Sequence, residues 1–484
     1  MYRTEQFAEK GFTPARFESE HIITLRGEAI RYRTVAEDNV FYDDAGKPIA
    51  TLFSYSYLRT DVEDMASRPV IFGYNGGPGC SALYVHAGFF GTRRLKYGEP
   101  DRETSLPPYE VVDNPDCLLD TCDIVLVDPV GTGYGLLLDE NHKKDFYGLQ
   151  QDAEALLTFI EQWLTRNHRW MSPKYLFGES YGCTRNATAA GLSVLGGRER
   201  EYGIRFDGLI MVGNTVSVGR YFRANLPVEQ SVTWFPTFAA IHWYHHHPTE
   251  ETLEQFVYRA KEFADTEYLA ALYQGNSLAG EERDAIIAKI TEFIGVGREF
   301  LEQNALRIER HSFSQEILHK EGKCVSWTDG RMTRPRHQPE MVEEKAGRDD
   351  AIGERYDGLF AAAIQGDIHP YLNIDLDRQY AMITRIGRDW DYAEDKGTTA
   401  ELLHEAMMKT HGLRVFFANG WLDANTEVGH VFYTIYHAGL PKERICFKGY
   451  ESGHLLYVGE KNCHDLAEDV RTFVTGGMPG RTFA

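Results

Sequence analysis

The sequence predicts an α/β fold, with a mostly parallel central sheet and helices on its faces. Three observations lead there. Short apolar runs at residues 70–74, 123–128, 175–177, 209–212, 415–418 and 444–447 read as buried central strands. Helical patterns fall between several of them, as in units that build a parallel sheet. The run Gly178-Glu179-Ser180-Tyr181-Gly182 sits where one strand passes into a helical pattern at residues 186–192. A serine on a strand-to-helix turn flanked by glycines is a nucleophile elbow, and it narrows the prediction to an α/β-hydrolase fold.

The elements follow in order. Residues 21–25, 30–34 and 49–55 alternate as strands do, and Asp43-Asp-Ala-Gly46 is a hairpin-turn signal between the last two, so the chain opens as an antiparallel meander. Residues 151–166 place Ala153, Leu156, Leu157, Ile160, Trp163 and Leu164 on one broad helical face. After residue 218 the pattern changes. Residues 251–272 and 280–303 read as long charged helices, and parallel strands resume only after about residue 410. The expected organisation is a core over residues 1–217 and 351–484, interrupted by a helical cap insertion over 218–350. A cap above the carboxyl ends of the strands would wall a pocket.

Composition bounds the function. A chain of 484 residues can bury a large core, and 43% hydrophobic with 25% charged residues is ordinary for a globular enzyme. The formal net charge of -21 argues against nucleic acid and anionic membranes as partners. No run reaches the length of a membrane span, and the first residues lack the apolar stretch of a secretory signal. The seven cysteines are odd in number and irregular in spacing, which points to reduced thiols and a cytoplasmic protein. Cys80 and Cys324 are the first pair to test for a bridge. Homo-oligomerisation is compatible with this composition.

A hydrolase built on an elbow needs a nucleophile, an acid and a histidine in that chain order. Ser180 is the nucleophile. Asp423 closes the late strand pattern 415–418 plus Asn-Gly-Trp-Leu, and His454 follows the last strand. Ser180 would attack a carbonyl, His454 would carry the proton, and Asp423 would orient the imidazole. The glycines in Asn75-Gly-Gly-Pro-Gly79 leave backbone amides bare, so the oxyanion hole is assigned to the N–H groups of Gly77 and Tyr181. No cofactor is implied. His242 with His245-His246-His247 has no carboxylate or cysteine placed to complete a metal site, so no metal ligands are assigned. The aromatic stretch 234–244 is expected to line the pocket or its roof.

Several blocks resemble the serine carboxypeptidase family: Asn75-Gly-Gly-Pro-Gly-Cys-Ser81, Asp113-Asn-Pro115, Asp128-Pro-Val-Gly-Thr-Gly-Tyr134, Gly178-Glu-Ser-Tyr-Gly182 and Gly453-His454. The resemblance runs from about residue 70 to the C-terminus, weakest over the cap, and is nearest to the bacterial-type branch without a signal. It implies removal of C-terminal residues from a peptide substrate, with Ser180, Asp423 and His454 as the triad. It also implies that Asn75, Gly76 and Glu179 hold the substrate's terminal carboxylate. Secreted relatives carry a second glutamate where this chain has Phe89, so a proton-sharing carboxyl pair is incomplete. Arg93 or Arg94 could supply a charge-assisted fork instead, or serve a structural salt bridge. In that case activity would not require acidic pH. Cys183 stands where many relatives have glycine; it lies in the helix after the serine and is read as a packing residue, although it puts a thiol near the nucleophile that reagents could reach. Esterase or acyltransferase chemistry on the same scaffold is the enzymatic alternative, and a non-catalytic binding protein the other.

Overall fold

The computed structural model describes residues 11–96, 108–195, 202–218, 227–336, 352–391 and 399–483. Its strands are β1 (Arg16–Leu25), β2 (Glu28–Tyr42), β3 (Pro48–Arg59), β4 (Val70–Tyr74), β5 (Arg93–Leu95), β6 (Val111–Asp113), β7 (Asp123–Asp128), β8 (Leu136–Leu137), β9 (Lys174–Glu179), β10 (Gly208–Val212), β11 (Lys323–Val325), β12 (Thr333–Pro335), β13 (Arg414–Gly420), β14 (Ile445–Tyr450) and β15 (Arg481–Thr482). The main sheet runs β1-β2-β3-β7-β4-β9-β10-β13-β14-β15, with β8 paired to β3. From β7 to β14 every neighbouring pair is parallel. The opening meander β1–β3 is antiparallel and joins β7. This is the α/β-hydrolase fold.

The meander strands are longer than the alternation alone suggests. The turn at Asp43 is where the sequence puts it: Asp43 Oδ1 accepts from the amides of Ala45 and Lys47, at 2.9 and 2.8 Å. In the buried parallel strands, successive side chains feed two cores. Val70, Phe72 and Tyr74 pack with helix α1 (Leu149–Arg166) and helix α2 (Tyr181–Leu192), while Ile71 joins the opposite core, which includes Leu466 and Phe473. Trp163 of α1 is fully buried, edge-on to Phe72 at 5.3 Å, and its indole N–H donates to Ser56 Oγ.

Between β10 and β13 the described chain is largely helical. Helices α3 (Pro227–His246), α4 (Leu253–Phe263) and α5 (Gly280–Ile294) pack through Phe235, Phe256, Phe263 and Phe293. The capping box of Thr252 and Gln255 starts α4. The helix expected over 280–303 breaks at Gly295, which adopts a left-handed conformation with φ 73° and caps α5. A separate turn of helix follows at Arg298–Gln303. The hairpin β11–β12 also falls in this region. The expected end of the insertion at residue 350 lies outside the described residues. After β10 come α6 (Thr399–Lys409), α7 (Val428–His437) and α8 (Glu460–Val474) around β13 and β14. Among the described residues no helix is long and apolar enough to cross a membrane.

Candidate active site

β9 ends at Glu179 and α2 begins at Tyr181, so Ser180 occupies the whole turn. Its φ is 59°, a strained value for a residue with a side chain. The turn is tight enough that a Cβ on Gly178 would lie 2.1 Å from the carbonyl oxygen of Gly182. The backbone is pinned on both sides: Ser180 N–H donates to Val212 O at 2.8 Å, and Ser180 O accepts from Thr215 Oγ1 at 2.7 Å.

Asp423 follows β13 and His454 follows β14. The structure brings these two together, with His454 Nδ1 2.8 Å from Asp423 Oδ2. The strand end that bonds the Ser180 backbone leads into Gly213, and a Cβ on Gly213 would stand 3.4 Å from the His454 ring. The other carboxylate oxygen, Asp423 Oδ1, accepts from the amides of Asn425 and Thr426 at 2.8 and 3.1 Å. The Thr426 hydroxyl bonds to Asp423 Oδ2 and stands 3.2 Å from His454 Nδ1. Sequence reasoning does not single out Thr426. The signal for it is the short-range Asp-x-x-Thr pattern, in which an aspartate caps the amides that follow it.

The His454 loop is anchored from the segment before β12. His454 N–H donates to Thr328 O at 2.7 Å. Arg331, buried against Asp329 at 2.6 Å, donates to Glu451 O, Val458 O and Ser452 Oγ. Burial opposes a charged imidazole at His454. The Asp423 charge and hydrogen bond, with a further contribution from Glu179, overcome that and raise its pKa to about 9.

The Asn75–Gly79 loop lies directly on the elbow. A Cβ on Gly76 would meet Tyr181 N at 2.5 Å and Glu179 O at 2.6 Å, so only glycine fits. Gly77 follows with φ 110°. The amides assigned to the oxyanion hole therefore come from two segments in backbone contact. Beside them a cavity of about 640 Å³ is lined by Gly77, Pro78, Ser180, Tyr181, Trp234 and Arg310, among others.

Asn75 and Glu179 are buried and joined, Nδ2 donating to Oε1 at 2.6 Å. Asn75 Oδ1 accepts from the amides of Tyr84 and Val85, both at 3.1 Å, which fixes the amide's orientation. Burial pushes the Glu179 carboxyl up to about 7, against the opposing pull of His454, Tyr457 and Asn75. Phe89 is buried and stacked between Phe177 and Tyr457, at 5.7 and 5.9 Å. An aromatic stack thus fills the position of the second glutamate of secreted relatives.

Of the two readings for Arg93 and Arg94, the structure shows the salt bridges. Arg93 is engaged by Asp367, at 2.5 and 2.8 Å, and by Asp113. Arg94 is buried, and holds Glu460 and Asn114 at 3.0 and 3.2 Å. Both guanidinium groups tie the β5–β6 hairpin to other parts of the chain, and neither lines the cavity at Ser180. Cys183 is the packing residue expected, and not a thiol open to reagents. It is fully buried, with Sγ 3.3 Å from both Gly178 O and Val212 O, where reagents do not reach. All seven cysteines are free, Cys80 and Cys324 included. In the histidine cluster, His242 and His245 bond to the carbonyls of Phe293 and Gly330. Trp234 of the aromatic stretch lines the cavity.

Comparison with known proteins bears on this site. Residues 46–237 match the serine carboxypeptidase family. That span includes the Asn75 loop and the elbow; Asp423 and His454 lie beyond it. A search of curated proteins finds no match. Among solved structures, the chain is similar to Kex1(delta)p, a prohormone-processing carboxypeptidase from Saccharomyces cerevisiae. Identity is 14%, the TM-score is 0.56, and the match covers 92% of this chain and 90% of that one. It also aligns with a proline iminopeptidase of Mycobacterium smegmatis at 12% identity and a TM-score of 0.38, covering 91% and 97% of the two chains. The first of these likenesses carries the fold. Family match and fold together support hydrolase chemistry of the serine peptidase kind.

Proposed function

We propose that the protein is a serine-type carboxypeptidase that releases C-terminal residues of peptides through an acyl-enzyme on Ser180. The observation that carries the reading is the Asp423–His454 hydrogen bond at 2.8 Å, in a chain whose Ser180 is strained onto an elbow. In this reading, Nδ1–H of His454 points to Asp423 and leaves Nε2 to take the Ser180 proton. The amides of Gly77 and Tyr181 receive the oxyanion, and His454 returns the proton to the leaving amine. Water then repeats the cycle on the acyl-enzyme, and no cofactor takes part. Asn75, Gly76 and a protonated Glu179 receive the substrate's terminal carboxylate; a neutral carboxyl can donate to an anion where an ionised one would repel it. Its raised pKa, about 7, suits that role.

Hydrolysis or transfer of simple esters uses the same groups, so the experiment must separate the two. Blocked peptides with free and with amidated C-termini, and an activated ester, are digested and the products read by mass spectrometry. Cleavage confined to free C-termini and abolished in Ser180→Ala is the expected result. Equal cleavage of the amidated peptide, or turnover of the ester alone, refutes the carboxypeptidase reading.

A further inference from the structure

The oxyanion hole assigned above joins two segments that touch at Gly76 and Tyr181, and a buried ion pair beside them bonds to both. One turn into α2, Arg185 is buried, with 2% of its side chain exposed, against Asp152 of α1, with 8% exposed. Arg185 Nε donates to Asp152 Oδ2 at 2.6 Å. The same oxygen accepts from the Tyr181 hydroxyl at 3.2 Å. Arg185 Nη1 donates to the backbone carbonyl of Asn75 at 3.1 Å. The guanidinium also lies against the rings of Tyr74 and Tyr181, at 4.8 and 5.2 Å from their centroids. Tyr74 and Asn75 lead into Gly77; Tyr181 carries the other amide. One ion pair therefore touches both sides of the hole.

We infer that Arg185 and Asp152 are positioning residues that set the distance between the Gly77 and Tyr181 amides. The inference rests on the serine-hydrolase reading of Ser180, though not on which acyl substrate is used. A planar guanidinium is suited to this bridging, because it donates in two directions while stacking on two rings, which an ammonium cannot do. Donors pre-set for an oxyanion act on the transition state and little on the bound substrate. The pair should therefore govern kcat and leave KM nearly unchanged.

The test compares wild type with Arg185→Lys, Asp152→Asn and Tyr181→Phe. The last keeps the ring and the backbone amide and removes the hydroxyl that bonds to Asp152. Each is assayed with an activated ester and with a peptide, per site titrated by a fluorophosphonate, alongside inhibition by a peptidyl boronate that mimics the tetrahedral state. For Arg185→Lys and Asp152→Asn, kcat should fall about 10- to 100-fold, up to the cost of displacing such a donor by an ångström and short of the cost of losing it. KM should stay within about twofold, and boronate affinity should fall by the same factor as kcat/KM. Tyr181→Phe should show a smaller loss of the same kind. Lowered thermal stability with kcat per titrated site within twofold of wild type would overturn the inference, as would a loss expressed in KM alone. If a variant fails to fold, Tyr181→Phe still decides the question, because its kcat must fall below wild type. Wild-type enzyme that turns over the ester but not the peptide refutes the carboxypeptidase reading and leaves this test intact. Wild type inert toward both overturns the two together.

Discussion

At the scale of single residues, the two buried ionisable groups nearest the serine act on each other. Glu179 contributes to raising His454, and His454 contributes to lowering Glu179, so the titrations belong to the pair. Catalysis needs His454 neutral, which sets an acid flank; holding a terminal carboxylate needs Glu179 protonated, which sets an alkaline flank. A bell-shaped kcat/KM profile with apparent values near 7 and 9 is therefore expected for a peptide substrate. The required state pairs a neutral imidazole with a neutral carboxyl, so the acid flank is read near 7 and the alkaline flank near 9. Glu179→Gln should abolish the alkaline flank and leave an acid flank set by His454 alone, above 7 and below 9, because one anion beside the imidazole is gone. An unchanged bell in that variant would show that Glu179 does not titrate in the reaction. Ser180, Asp423 and His454 could be picked out from the sequence because each stands after a recognisable strand. Arg185 could not. Its partner Asp152 is 33 residues away, and only the packing of α2 on α1 makes them neighbours. The sequence left Arg93 and Arg94 open between a substrate fork and a salt bridge, because their acidic partners Asp367 and Glu460 lie far along the chain.

At the scale of elements, the loops that carry chemistry are held by backbone contacts from distant segments. The His454 loop hangs on Arg331, which bonds three groups between Glu451 and Val458 while paired to Asp329. Arg331→Met leaves the Asp329 carboxylate buried without its cation. Losing one partner of such a pair costs about 3–5 kcal/mol. Urea denaturation should report a loss of that order, and kcat should fall with it as His454 loses its anchor. A midpoint within error of wild type would exclude this role. The existence of the central strands was legible from apolar runs; helix continuity was less so. The charged, periodic stretch 280–303 gave no warning that Gly295 would turn left-handed, because its sterically free φ leaves no mark on periodicity.

For the molecule as a whole, stability should fall on the alkaline side. His454 carries a folded-state pKa of about 9 against 6.5 for the unfolded chain. The folded protein thus keeps a proton the unfolded chain releases. That stabilisation is complete below 6.5 and is lost as pH rises through 9. It amounts to about 3 kcal/mol at 1.36 kcal/mol per pH unit. Asp128, raised to about 7 by burial despite hydrogen bonds from the Ala82 and Tyr134 amides, adds a decline as pH rises from 3.8 to 7. Below 6.5 the buried His369 and His430, lowered to about 3 and about 4, favour the folded state as pH rises and oppose that slope. Calorimetric melting temperatures should therefore decline from pH 6.5 to 9, and His454→Gln should flatten the decline. A wild-type melting temperature constant over that range would refute the assignment. The mostly parallel central sheet was legible because its buried strands are short, apolar and bounded. What the sequence withheld was the set of long-range polar ties. The seven sulfhydryls, finally, give the molecule a natural reporter. Every one is interior and unbridged, so an aromatic disulfide in the solvent finds nothing to exchange with until the chain opens. The rate at which colour develops then measures breathing of the fold itself, with no label attached and no residue replaced.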